Sequence, residues 1–211
     1  MKGIIFDLDG VIVFTDHYHY LAWKKMADEI GVYFDEVINN RLRGVSRMAS
    51  LDIILERYEG KPLTEEEKVE LATRKNNYYR EYLKLMSPKD VEDEVRETLK
   101  ELRNRGYKLS IGSSSKNAKF ILNQVDLIDY FDAISDGTNI TKSKPDPEVF
   151  LCGAKYLGLE PKDCAVVEDA FAGIDAAKAG NFTAVAIGDA TNYDKADYKL
   201  ETFGDLLKLF A

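Results

Sequence analysis

Asp7 and Asp9, one residue apart, close an apolar run of strand length (Gly3-Ile4-Ile5-Phe6) and are followed by Gly10. Carboxylates this close repel, so the pair requires a cation, a shared proton or solvent. An ordinary solvated strand-to-turn junction would show the same residues. A calcium loop fits less well, because Gly10 comes too early and no Glu closes the loop. Further along, Ser113-Ser114-Ser115-Lys116-Asn117 sets hydroxyls and amides at an expected helix start. Such a start suits an anion, or simple helix capping. Lys144 follows within Lys142-Ser143-Lys144-Pro145-Asp146, and a second acid pair, Glu168-Asp169, ends the strand Ala165-Val166-Val167. Each group has a bland reading, as a cap or a solvated side chain. Together they make an oxygen-rich set suited to Mg²⁺ and a substrate phosphate. Mg²⁺ and a lysine neutralise charge building on a transferring phosphoryl group, and a carboxylate can serve as nucleophile.

Those groups need a scaffold that brings distant strand ends together. From about residue 91 onward strand and helix alternate, with strands expected near 107–112, 131–134, 164–167 and 183–187 and helices near 92–105, 116–125, 147–157, 170–179 and 205–210. The pattern predicts an α/β fold with a doubly wound parallel sheet, whose ligands bind at the carboxyl ends of the strands. Residues 14–87 differ, showing helical spacing near 17–30, 35–42, 46–58 and 65–86 without a strand pattern. We therefore expect an α/β core of residues 1–13 and 88–211 and an all-helical cap of 14–87, placed in the chain as a lid over the acidic strand end.

Composition narrows the partners. With 29 Lys and Arg against 37 Asp and Glu, the net charge is −8, which argues against a nucleic-acid partner and leaves room for a locally basic cleft that binds small anions. The two cysteines, Cys152 and Cys164, sit in helix and strand patterns without metal-ligand spacing. No signal peptide or membrane-spanning run is read, so a cytoplasmic protein, monomeric and without a membrane partner, is expected.

The ordered set Asp7-Leu8-Asp9-Gly10, Ser113, Lys144-Pro145 and Glu168-Asp169 resembles the four signature motifs of the haloacid dehalogenase superfamily of phosphoryl-transfer enzymes, over nearly the whole chain. The resemblance implies Asp7 as the nucleophile that becomes an aspartyl phosphate and Asp9 as general acid/base. It implies Ser113 and Lys144 as phosphoryl ligands, and Asp7, the Asp9 backbone, Glu168 and Asp169 as ligands of Mg²⁺. Within the superfamily the cap is similar to that of sugar phosphomutases, through Thr15, Tyr18-His19, Ala22-Trp23, Gly44-Val45-Ser46-Arg47, Arg74-Lys75-Asn76 and Ser115-Lys116-Asn117. These residues, with Ser114, are thereby implied as sugar-phosphate contacts, Arg47 being the main cap-side phosphate ligand and His19 and Lys75 lying near the sugar. Trp23 would serve equally as cap core. Two positions depart from the family pattern, Phe14 for an aspartate and Ala170 for a serine, and neither removes a catalytic group.

The expected reaction is isomerisation of β-glucose 1-phosphate to glucose 6-phosphate through a 1,6-bisphosphate. A sugar-phosphate phosphatase, in which water attacks the same phospho-Asp, is the alternative. A phospho-Asp signalling module also places acids, a hydroxyl and a lysine at strand ends, but it needs neither a lid nor Asp9.

Overall fold

A computed structural model describes residues 1–42 and 46–211. The chain divides into two compact units, Met1–Phe14 with Met86–Ala211, and Thr15–Leu85.

The first unit is built on six strands: β1 (Gly3–Phe6), β2 (Lys108–Gly112), β3 (Ala133–Ser135), β4 (Cys164–Glu168), β5 (Thr183–Ala186) and β6 (Tyr198–Lys199). All pair in parallel, in the order β3-β2-β1-β4-β5-β6. Every residue of β1 is buried, which accounts for its unbroken apolar run: both faces of the sheet are covered. Ile5 points into a cluster with Val149, Phe150, Val166, Ile174 and Ala184. Phe6, one residue on and therefore on the other face, meets Phe131 edge-on and stacks with Phe203 at 5.7 Å. The helices of this unit are α5 (Asp93–Asn104), α6 (Ala118–Gln124), α7 (Glu148–Leu157), α8 (Phe171–Ala179) and α9 (Leu206–Leu209), with α7 packed on β1–β3 and α8 on β4 and β5.

The chain lays β1, β2 and β3 outward to one side, then returns to place β4 against the free edge of β1. The strand order reverses between β1 and β4, and such a switch point opens a crevice at the carboxyl ends of the two strands. Asp7 and Glu168 stand at those ends.

The second unit holds α1 (Asp16–Glu29), α2 (Glu36–Asn40), α3 (Arg47–Leu55) and α4 (Glu65–Leu83). Thr64 and Glu67 form a reciprocal capping box at the start of α4, as their spacing predicts. Trp23, Met26, Phe34, Leu51, Ile54 and Leu71 share its apolar core.

The structure departs locally from the expected elements. The sixth strand lies in a polar stretch of two exposed residues with no strand pattern, and it forms because β5 offers an open edge to pair with. The helix expected from residue 116 starts at Ala118. The Ser113 and Ser115 hydroxyls accept from the Ser115 and Asn117 amides (3.2 and 3.1 Å), and such local bonds compete with helical ones. No helix among the described residues is long and apolar enough to cross a membrane.

Shortening the fully buried Ile5 should cost about 2–5 kcal/mol through lost transfer energy and the cavity left behind. Chemical unfolding of Ile5→Ala checks this through a lower midpoint.

Candidate active site

Asp7 follows directly on β1, and its amide still donates to the Val167 carbonyl (2.9 Å). That last bond holds Asp7 beside the end of β4. Asp7, Glu168 and Asp169 each bring a carboxylate oxygen within 4.8 Å of the other two. Lys144, carried by the loop ahead of α7, bridges the cluster, donating to Asp7 Oδ1 and to Glu168 Oε1 at 2.5 Å each. Its ammonium also sits 4.8 Å from the centroid of the Phe150 ring, on the ring face.

Two glycines permit this crowding. Gly10 has φ +90°, and a Cβ there would run into the Asp169 carboxylate. A Cβ on Gly173, in the first turn of α8, would overlap the Glu168 carboxyl. Glu168 Oε2 accepts from the Ala170 amide at 2.9 Å. The position that departs from the family pattern therefore steadies Glu168 through its backbone.

The electrostatics follow from three acids and one cation in a largely buried site. Burial raises the Glu168 pKa, with Asp7 adding to the effect and Lys144 opposing it. Asp169 is pushed up to about 8 by burial, then by Glu168 and Asp7. Burial alone would lower the Lys144 pKa, but Asp7 and Glu168 outweigh it and hold the ammonium charged. The cluster is thus short of positive charge. Three convergent carboxylate oxygens are the donor set a hard divalent cation prefers, so these residues fit a metal.

Asp9, two residues beyond Asp7, is half-buried in a tight turn and bridges to Val13. Its charge contributes to the raised Asp169 pKa, while its carboxylate stands outside the three-acid cluster. Ser113 is 3% exposed at the end of β2, and its amide donates to the Ser135 carbonyl (3.0 Å). Beyond it Ser114 and Lys116 are exposed, Ser115 is half-buried and Asn117 is buried. Asn117 is the N-cap residue of α6, and its side chain accepts no cap hydrogen bond from the helix amides. The structure thus brings Asp7, Lys144, Glu168 and Asp169 into contact, with Asp9 and Ser113 on neighbouring turns of the same unit.

The helical unit gathers a second set. Thr15, His19 and Trp23 recur every four residues along α1 and its cap, and Lys75 lies on α4, which packs against α1. Lys75 is 3% exposed. Its ammonium lies 2.7 Å from His19 Nδ1 and on the faces of the Trp23 and Tyr79 rings, at 4.6 and 4.9 Å. An ammonium only donates, so His19 Nδ1 accepts and the neutral ring carries its proton on Nε2. Burial, then Lys75 and Arg47, hold the His19 pKa well below its usual value, in keeping with a neutral ring. Arg47 is exposed and donates to Asn76 Oδ1 at 3.0 Å. Ser46 caps α3, accepting from the Ala49 amide. Gly44 and Val45 lie outside the described residues, and Phe14 is 65% exposed.

Three contributors escaped the sequence reading. Tyr79 and Phe150 look like plain core aromatics, and only the i, i+4 spacing of Lys75 and Tyr79 hints at a shared face. Gly173 sits inside a helix, where a glycine costs stability unless close approach demands it.

A carboxyl whose pKa is raised on folding binds more protons in the folded state, so its contribution to stability falls as pH rises from the unfolded value, about 3.9, to the folded one. In chelator, Asp169→Asn should therefore gain on the natural protein progressively from about pH 4 to pH 8, then level off. Urea midpoints across that range test this, and a pH-independent difference would refute it.

Residues 1–181 match the family model for haloacid dehalogenase-like hydrolases. The chain is 43% identical to a β-phosphoglucomutase of Bacillus subtilis, covering 98% of this chain and 92% of that protein. It is 31% identical to a phosphorylated carbohydrates phosphatase of Thermotoga maritima, covering 84% and 81%. A crystal structure of β-phosphoglucomutase from Clostridium difficile superposes with a TM-score of 0.87 at 39% identity, covering 98% of this chain and 93% of that one. With the acid-lysine cluster at its switch point, the chain belongs to the haloacid dehalogenase-like hydrolase family of phosphoryl-transfer enzymes.

Proposed function

We propose that the protein is a β-phosphoglucomutase, converting β-D-glucose 1-phosphate to D-glucose 6-phosphate. The observation that carries this reading is the 43% identity, over 98% of the chain, to the Bacillus subtilis β-phosphoglucomutase. In this reading the α/β unit performs the transfer, and the helical unit supplies contacts to the sugar and to the phosphate not being transferred.

Asp7 carries the phosphoryl group as an aspartyl phosphate. The sugar 6-hydroxyl of β-glucose 1-phosphate attacks the phosphorus, and Asp9 accepts the hydroxyl proton as the bond to Asp7 breaks. The 1,6-bisphosphate then presents its other end. Asp7 attacks the 1-phosphate, Asp9 returns the proton to the departing sugar oxygen, and glucose 6-phosphate leaves the phosphorylated enzyme. Asp7, Glu168, Asp169 and the Asp9 carbonyl would hold Mg²⁺, which when bound would supply positive charge against the repulsion between anionic nucleophile and anionic phosphate. Lys144 and Ser113 hold the equatorial oxygens of the moving group. An ammonium has three donors, and Asp7 and Glu168 engage two of them (2.5 Å each).

Ser114, Ser115, Lys116 and Asn117 extend the phosphate contacts on the core. Thr15, His19, Trp23 and Lys75 face the sugar, and the Gly44–Arg47 segment takes the distal phosphate. The planar guanidinium of Arg47, held by Asn76 at 3.0 Å, suits bidentate binding of that group.

The decisive assay supplies β-glucose 1-phosphate with Mg²⁺ and trace glucose 1,6-bisphosphate and follows glucose 6-phosphate and free phosphate together. The mutase gives glucose 6-phosphate well in excess of phosphate. Phosphate released in step with sugar would instead place the chain with the phosphatase relatives. Removing one charged phosphate contact costs roughly ten- to a hundredfold. Arg47→Ala should lose that much in sugar-phosphate turnover and much less in hydrolysis of acetyl phosphate, which has no distal phosphate. Equal losses would remove the distal-phosphate role.

A further inference from the structure

Tyr79, 1% exposed near the C-terminal end of α4, is where several of the helical unit's polar groups converge. Its ring stacks on the His19 imidazole, with centroids 4.0 Å apart and planes 20° from parallel. The same ring faces the Lys75 ammonium at 4.9 Å. Its hydroxyl lies 2.9 Å from Thr15 Oγ1 in a buried bond. Thr15 is the N-cap residue of α1, a place where a threonine side chain ordinarily accepts from the helix amides. Here it makes no cap bond, and its hydroxyl meets Tyr79 instead.

Packing alone does not call for a tyrosine at this position. A leucine would fill apolar space on α4, but it offers neither a π face to a buried ammonium nor a flat partner for an imidazole. The spacing is consistent with a built assembly: Thr15, His19 and Trp23 form one stripe on α1, and Lys75 and Tyr79 form the opposing pair on α4.

We propose that Tyr79 is a positioning residue, its ring orienting the His19 imidazole and the Lys75 ammonium and its hydroxyl fixing the Thr15 side chain. This rests on the phosphomutase reading above, in which those three groups face the sugar. Tyr79 itself touches no reacting atom in this scheme. It sets the direction of the His19 Nε2–H and keeps the Lys75 charge in place against Nδ1.

The test compares Tyr79→Leu and Tyr79→Phe in the full chain by two readouts, the His19 ring nitrogens in long-range ¹H–¹⁵N spectra and turnover of β-glucose 1-phosphate. Tyr79→Phe keeps the ring, so His19 should remain the Nε2–H tautomer, and loss of one neutral hydrogen bond should lower kcat/KM roughly two- to tenfold. Tyr79→Leu should mix the two His19 tautomers and lower kcat/KM by more than roughly tenfold, since stack and ammonium contact go together. A single Nε2–H tautomer with natural turnover in Tyr79→Leu would overturn the proposal. Should that variant fail to fold, Tyr79→Phe decides: natural turnover overturns the proposal, and the expected fall with the tautomer retained supports it. If the natural protein does not isomerise the sugar, yet Tyr79→Leu mixes the tautomers, the phosphomutase reading fails while the orienting role stands.

Discussion

One ammonium group, the Lys144 Nζ between Asp7 and Glu168, makes the rest of the acidic site tolerable. Three carboxylates within 4.8 Å of one another in a buried crevice repel and lose hydration, and the raised pKa values of Glu168 and Asp169 record that cost. Lys144 offsets part of it at two points. The sheet topology imposes the arrangement. Reversal of strand order between β1 and β4 puts two acid-bearing strand ends side by side, and the glycines at 10 and 173 let the acids close up. Breaking a buried charge pair is costly because it leaves the other charge uncompensated, so Asp7, Lys144 and Glu168 are energetically one unit.

The helical unit holds a buried lysine by other means. Lys75 lies on the faces of Trp23 and Tyr79 and against a neutral imidazole nitrogen. Lys144 is surrounded by carboxylates, where its charge answers theirs. The ring faces and the imidazole nitrogen stabilise the Lys75 cation while carrying little charge of their own.

Much of this was legible because the reacting groups sit at element ends, where an apolar run stops at a carboxylate or hydroxyl. Ile4-Ile5-Phe6 before Asp7, and Ala165-Val166-Val167 before Glu168, announce buried strands and their functional ends together. The parallel sheet and the family followed from that order of motifs. What escaped has physical reasons. The two residues of β6 pair only because β5 has a free edge, a tertiary fact absent from their own pattern. The late start of α6 reflects serine hydroxyls bonding to the next amides but one, which composition does not distinguish from capping. Tyr79 and Phe150 read as core because an aromatic ring fills apolar space and faces a cation with the same atoms.

In the proposed reaction Asp7 carries the phosphoryl group between sugar positions, and covalent labelling would expose that step. The protein is mixed with ³²P-labelled glucose 1,6-bisphosphate and Mg²⁺, quenched in acid within a turnover, and digested for mass spectrometry of the labelled peptide. A hydroxylamine-labile phosphate on Asp7, chased into glucose bisphosphate by unlabelled β-glucose 1-phosphate and absent from Asp7→Asn, is the expected result. Sugar turnover without label at Asp7, or undiminished turnover in Asp7→Asn, would contradict it.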